Sequence, residues 1–277
     1  MSGSQANRKK VLESIRTTLG ANAPDEWREA NVRHRLVTHP SGTIPARSLG
    51  NREAGLALFS GMLASQGAEV TRVREVRDVR RLLRLLAAHA AQEVHLASLA
   101  SALGIPRSTL ANHEALLEAV YLLFEIPAWS RNPTARVVRH PKVHFTDTGL
   151  AAHLLGVTPA SFHRPGSPAA GPLLENFVVS EIARLSTWSD VRTDLHHFRD
   201  RDGKEIDLVL ESRDGRVAAV EVKAGSTPGS GEFRTMAWLR DRLGGDFVQG
   251  VLLYTGDQVL PFGDRLTAAP ISALWAE

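Results

Sequence analysis

Apolar positions recur along this chain with helical and strand-like periods in a definite order. Between residues 8 and 20, Val11, Leu12, Ile15 and Leu19 share one helical face, and Gly20 stops the run. Residues 21–50 are polar and carry Pro24, Pro40 and Pro45, the pattern of a loop or extended arm. A second helix is expected over 51–67, with Leu56, Leu58, Phe59 and Leu63 apolar and Gly67 at its end, then a short strand from Ala68 to Val73. From 76 to 90, Val79, Leu82, Leu83, Leu85 and Leu86 alternate with Arg77, Arg80, Arg81 and Arg84, which predicts a helix with a solvated basic face.

A short helix over 95–106 closing on Gly104, then a helix over 107–120 with Ser108 placed to cap it, gives a helix-turn-helix pattern. Residues 121–147 then alternate in β fashion at 121–127, 136–139 and 142–146. Helix-turn-helix plus a two-stranded ribbon is the pattern of a winged helix. Such a domain can set its second helix in a DNA groove and its ribbon on the backbone. On that reading Arg107, Ser108, Arg136, Arg139 and Lys142 are the DNA contacts. Winged helices also act as protein–protein modules and spacers, and the sequence favours neither use.

Residues 157–171, rich in Pro and Gly, read as a linker before a helix beginning near Pro172. Two apolar strands follow, Glu205–Glu211 and Val217–Ala224, joined by a polar turn at 212–216. Glu221 and Lys223 are two apart and share one side of their strand, with Val220 and Val222 on the other. Asp207 interrupts an apolar run, where a carboxylate needs compensation. Glu175, early on the preceding helix, is expected to look towards this hairpin while Phe177, Val178 and Ile182 pack on the sheet.

Hard oxygens from Asp207 and Glu221, with Glu175 direct or through water, suit Mg2+ or Mn2+, which would activate water and offset charge on a phosphodiester. Lys223 would orient that water or stabilise the developing charge. A Glu-x-Lys pair alone is common on solvated strands. Glu181 reads as a surface residue, and His196 and His197 as strand-edge or packing residues rather than ligands.

Composition adds limits. Without cysteine in its 277 residues, the chain has no disulfide and no thiolate site. The first residues hold charge with no apolar run behind them, unlike a signal peptide, and no stretch is apolar enough to span a bilayer, so a cytoplasmic protein is expected. Residues 1–170 hold 21 Lys/Arg against 13 Asp/Glu, whereas 171–277 hold 12 against 17. A basic first part suits a polyanion and an acidic second part suits a cation. Only five of the 33 basic residues are Lys, which reads as a genomic bias.

From about 76 to 277 the sequence resembles the C-terminal region, catalogued as a domain of unknown function, of bacterial and archaeal AAA-type ATP-binding proteins. The resemblance runs through Ser98–Ile105, Lys142–His153, Leu174–Ile182, Arg201–Val209, Val220–Ala224, Val251–Gly256 and Pro270–Trp275. It implies an α/β (α+β) protein: a winged helix, then a restriction-endonuclease-like, PD-(D/E)XK-type mixed sheet flanked by helices, with Glu175, Asp207, Glu221 and Lys223 as site positions. Such proteins begin with an ATPase module whose phosphate loop is missing here, because Gly203-Lys204 precedes Glu205 without a glycine-rich lead-in. No ATP hydrolysis is expected. Residues 1–75 resemble the start of lactate-utilisation (LUD) proteins more weakly, without the sheet core that follows in those proteins, and a fusion of two truncated pieces would explain both gaps.

The expected organisation is an N-terminal segment (1–75), a winged-helix domain (76–156), a linker (157–171) and a nuclease-like domain (172–277). The leading expectation is a DNA-associated protein, with double-stranded DNA as its candidate partner, carrying a nuclease-like domain that binds Mg2+ or Mn2+ and lacks the ATPase motor; DNA cleavage is its candidate activity. A non-catalytic DNA- or protein-binding module, or a self-associating one, is the alternative, and a lactate-utilisation role is the weakest.

Overall fold

The computed structural model describes residues 76–275 except 133–135, 137–138 and 163–165; the expectations for residues 1–75 lie outside the described residues. The fold is mixed α+β, with one three-stranded and one six-stranded sheet.

The N-terminal unit opens with α1 (Val76–Ala88), β1 (Gln92–Glu93), α2 (Leu96–Leu103) and α3 (Arg107–Ala119), followed by β2 (Leu123–Ile126) and β3 (Lys142–Phe145). The period of α1 has its expected effect: Leu82 and Leu86 are buried while Arg80, Arg81 and Arg84 face outward. Gly104 ends α2 in the left-handed region at φ 69°, where a Cβ would be strained. The helix-capping expectation needs correcting. Pro106 is the N-cap of α3 and Ser108 lies inside its first turn, because Pro106 already sets the extended backbone that starts the helix. Arg136 is helical rather than in a strand.

The small sheet has the order β1-β3-β2, antiparallel throughout, so β3 is its centre and all four of its residues are buried. Alternation sends Val143 and Phe145 into the helical core with Leu99, Leu110 and Leu117. Lys142 and His144 take the opposite face.

Three helices lead onward: α4 (Thr148–Leu154), α5 (Pro159–Phe162) and α6 (Ala170–Thr187). The expected linker thus contains a helical turn, and α6 starts two residues ahead of Pro172. Helix α4, which the hydrophobic pattern did not announce, is capped by Asp147 Oδ1, which accepts from Gly149 N at 2.7 Å and Leu150 N at 3.3 Å.

The large sheet comprises β4 (Thr193–Arg199), β5 (Glu205–Ser212), β6 (Val217–Lys223), β7 (Phe247–Tyr254), β8 (Leu260–Gly263) and β9 (Leu266–Pro270), with α7 (Arg234–Leu243) between β6 and β7. Its order is β4-β5-β6-β7-β9-β8, parallel at β6–β7 and β7–β9 and antiparallel elsewhere. One face packs Leu208, Leu210, Val220 and Val222 under Val178, Val179 and Ile182 of α6. The other packs Val209, Ala219 and Leu252 under Met236, Leu239 and Leu243 of α7. Phe177 departs from the expectation. It is over a third exposed and stacks beside Trp275 instead of entering the sheet core.

The two units are bonded to each other. His197 N donates to Pro127 O at 2.9 Å and Trp129 N to His197 O at 2.6 Å, so residues 127–129 cover the open edge of β4. Asn176 of α6 is fully buried and clamps β3. Its Oδ1 accepts from Phe145 N at 2.7 Å, and its Nδ2 donates to Phe145 O at 3.0 Å and Thr148 Oγ1 at 2.8 Å.

Candidate carboxylate site between the two sheets

The site forms where β5 and β6 part company. Their ladder runs from Glu211–Val217 to Leu208–Val220 and stops there. Beyond it β5 pairs only with β4, and β6 only with β7. A register shift between His196 and Phe198 leaves an extra residue on β5, so Ile206 and Val209 both join the α7-side core although three apart. Bulges of this kind re-aim a side chain. Here Asp207 is taken out of the alternation, and its Oδ2 accepts from Val222 N at 2.8 Å, supplying the partner that β5 no longer offers.

The expected residues divide into two groups. Glu175 and Asp207 converge on one cation, the ammonium of Lys142. Its Nζ lies 2.7 Å from Glu175 Oε1, 2.8 Å from Glu205 Oε1 and 3.5 Å from Asp207 Oδ1, with the Lys142 side chain 2% exposed. Glu221 and Lys223 pair with each other at 2.7 Å. The second group is linked to the first by charge, since Asp207 acts on both Glu221 and Lys223.

Burial and charge set the protonation. Burial pushes Glu175 up to about 8, with Asp207 adding to it and Lys142 opposing. Burial raises Glu221 to about 7, reinforced by Asp207 and opposed by Lys223. Asp207 is raised by burial against the pull of Lys142 and the Val222 N–H. Burial would push Lys142 down, but Glu175, Asp207 and Glu205 reverse this and hold it protonated. Glu205 is driven up by burial, but the Lys142 charge and hydrogen bond win and bring it below the ordinary value. Next to the site, burial and then the Lys142 charge lower His197 to about 4, keeping it neutral.

An open cleft of about 620 Å³ reaches this cluster, lined among others by Gln92, His95, Glu175, Arg199, Asp207 and Lys223. Its walls come from both units.

The residues expected to meet DNA are placed differently. Arg107 and Ser108 are exposed at the start of α3. Arg136 is held inside the chain, donating Nε to Ser130 O at 2.6 Å and pairing with Glu211 at 2.7 Å. Arg139 is exposed and donates to Arg199 O at 2.5 Å. Lys142 is not on a nucleic-acid-facing ribbon; it is buried, because the face of β3 that carries it is covered by α6 and β5. His196 and His197 are buried on β4, and among the described residues no group of three His, Cys, Asp or Glu is arranged as a metal cage.

Sequence reasoning left Glu205 and Asn176 without a role and gave Lys142 the wrong surroundings. One signal was available: in a chain with so few lysines, one placed on an apolar strand is an outlier. Nothing local marked Asn176.

Comparison with known proteins places these units among domains without assigned activity. Residues 60–161 match a family profile described as Domain of unknown function (DUF8612). Curated relatives include Uncharacterized protein Rv2008c of Mycobacterium tuberculosis and Uncharacterized protein Mb2031c of Mycobacterium bovis, each 28% identical over 175 residues. The match covers 63% of this chain and 37% of each relative, so the chain spans well under half their length. No solved structure matches the chain. The segment that carries α6 and the large sheet, residues 170–274, matches the profile described as Domain of unknown function (DUF4143).

Proposed function

We propose that the chain is a DNA-associated protein whose C-terminal unit is a restriction-endonuclease-like, PD-(D/E)XK-type domain acting on phosphodiesters, carried beside a winged-helix unit. The observation that carries this reading is Asp207, which lines the cleft at the parting of β5 and β6, with one oxygen fixed by Val222 N–H and the other 3.5 Å from Lys142 Nζ, and with Glu221 and Lys223 on the neighbouring strand. The order helix, strand, helix, helix, hairpin and the sheet order β1-β3-β2 support the winged-helix assignment.

The donor set fits a hard divalent cation. Glu175, Glu205, Asp207 and Glu221 offer only oxygen, and four carboxylates outweigh the two lysines among them. The raised pKa values of Glu175, Asp207 and Glu221 express that excess of buried negative charge. Asp207 and Glu221, with Glu175, would hold Mg2+ or Mn2+, which supplies water activation and charge neutralisation at phosphate when bound. Lys223, over a third exposed at the cleft, presents its ammonium to the phosphodiester or to the attacking water. Arg199, about half exposed and 3.8 Å from Glu205, adds a second cation for the DNA backbone at the rim. Helix α3 offers DNA only Arg107 as a cation beside Glu114 and Glu118, so contact through the cleft is better supported than a groove-reading helix.

Nicking of plasmid DNA with Mn2+ tests the proposal. Wild type is expected to cleave and Asp207→Ala to lose cleavage altogether. Wild-type protein that neither binds DNA nor takes up Mn2+ sinks it.

A second reading, a non-catalytic DNA- or protein-binding module on the same scaffold, is favoured by one observation: Lys142 already supplies a cation to Glu175, Glu205 and Asp207. DNA binding unchanged in Lys223→Ala, with no cleavage under any metal, would select it.

A further inference from the structure

We propose that Lys142 is the resident cation of this site, delivered from the N-terminal unit, and that a divalent cation enters the full carboxylate set only by displacing its ammonium. The inference rests on the metal-binding reading above and deepens it by naming what the metal competes with.

Position carries the argument. Glu175 and Asp207, two of the three proposed metal ligands, both direct an oxygen at Lys142 Nζ, at 2.7 and 3.5 Å, and Glu205 closes the third side at 2.8 Å. A divalent ion held by Glu175 and Asp207 together would need oxygens within roughly 2.0–2.6 Å of itself, the volume the ammonium fills. Two cations a few ångströms apart in a buried pocket repel strongly. They cannot both use these oxygens.

The fold fixes the lysine there. Lys142 opens the central strand of the small sheet, flanked by Glu93 on β1 and Ile126 on β2. Three residues on, Asn176 fixes Phe145 through both its N–H and its C=O. Asn176 is the chain neighbour of Glu175, so one turn of α6 sets the strand bearing the cation against the carboxylate that receives it. The charge of the C-terminal cleft is therefore completed by the N-terminal unit. The carboxylates that hold Lys142, those of Glu175, Glu205 and Asp207, line the open cleft with Gln92, Glu93 and His95, so the cleft is the route by which a displaced ammonium would leave.

The test reads metal occupancy and lysine exposure, not cleavage. Mn2+ binding to the full chain is measured by titration calorimetry and Mn2+ resonance, for wild type and Lys142→Gln. In parallel, wild-type protein is amine-acetylated with and without millimolar Mn2+, and Lys142 modification is followed by mass spectrometry. Lys204 and Lys223, both about a third exposed, serve as reactive references. Lys142→Gln is expected to bind Mn2+ at least about tenfold tighter than wild type, and Mn2+ to raise acetylation of Lys142 relative to Lys204. Equal affinities, or Mn2+ bound to wild type while Lys142 stays unreactive, overturn the competition and leave the nuclease-like reading standing. Absence of Mn2+ binding by both proteins overturns that reading and the competition with it. Should Lys142→Gln not fold, the wild-type labelling decides alone: persistent protection of Lys142 in millimolar Mn2+ overturns the proposal.

Discussion

Glu114, Glu118 and Glu125 crowd together in the N-terminal unit, whereas Glu175, Glu205 and Asp207 gather at the cleft with Glu221 on the neighbouring strand. Burial raises the pKa of Glu114, Glu118 and Glu125 in the first group and of Glu175, Asp207 and Glu221 in the second, where Lys142 brings Glu205 below its ordinary value. In the first, burial and then Glu125 and Glu118 push Glu114 to about 7, and its buried Oε1 has no hydrogen-bond partner. That group relieves its charge by taking up a proton. In the second, burial also raises Glu175, Asp207 and Glu221, but Lys142, Lys223 and the Val222 N–H are aimed at named oxygens and oppose that rise. Crowded carboxylates alone mark nothing; fixed donors and an open cleft distinguish a place that can hold a cation.

Removing the cation from the second cluster should break this contrast most severely. Lys142→Met takes the counter-charge from Glu175 and Asp207, whose side chains are 15% and 9% exposed, and loss of one partner from a buried ion pair costs about 3–5 kcal/mol. Urea unfolding should show that loss at pH 8 and a smaller one at pH 6, where the freed carboxylates are protonated. An unchanged midpoint would mean the lysine contributes nothing net.

Loosening the clamp beside the site should do less. Asn176→Ala strands the N–H and C=O of Phe145 in the core, a cost of roughly 2–3 kcal/mol. It should also raise acetylation of Lys142 as β3 loosens from α6. Stability lost with Lys142 still protected would separate the clamp from the positioning of the lysine.

The smallest effect belongs to the first cluster, through pH. Glu114 has a folded value of about 7 above an ordinary 4.5, so the folded state holds its proton more firmly than the unfolded one. Stability tied to this group is therefore full below about 4.5 and is lost as pH rises through about 7. Glu114→Gln should remove that slope and stabilise the protein at pH 8 by on the order of 1 kcal/mol. Parallel pH profiles of the variant and wild type would contradict the assignment.

Much of the architecture could be read from local pattern. The spacing of Leu82 and Leu86 announced α1, Gly104 its neighbour's end, and the two apolar runs around 212–216 the β5–β6 hairpin. Asp207 stood out because a carboxylate inside Ile206-x-Leu208-Val209-Leu210 has to be compensated, and the Val222 N–H and Lys142 compensate it. Other features lacked a local sign. Phe177 belongs by hydrophobicity to the sheet core, yet Trp275 and the course of α6 hold it at the surface. Arg136 reads as a ribbon cation, but Glu211, 75 residues away, claims it.

By itself the sequence determined which side chains share a face. Alternation puts Glu221 with Lys223 and Lys142 with His144, and helical period puts Val178 with Ile182, since these follow from backbone geometry over a few residues. Only the tertiary structure decided what covers each face. The side of β3 holding Lys142 would be a solvated, DNA-facing ribbon in an isolated winged helix. Here α6 and β5, contributed from 33 to 65 residues further along, close over it with three carboxylates. Burial and charge depend on such distant partners, and no local period encodes them.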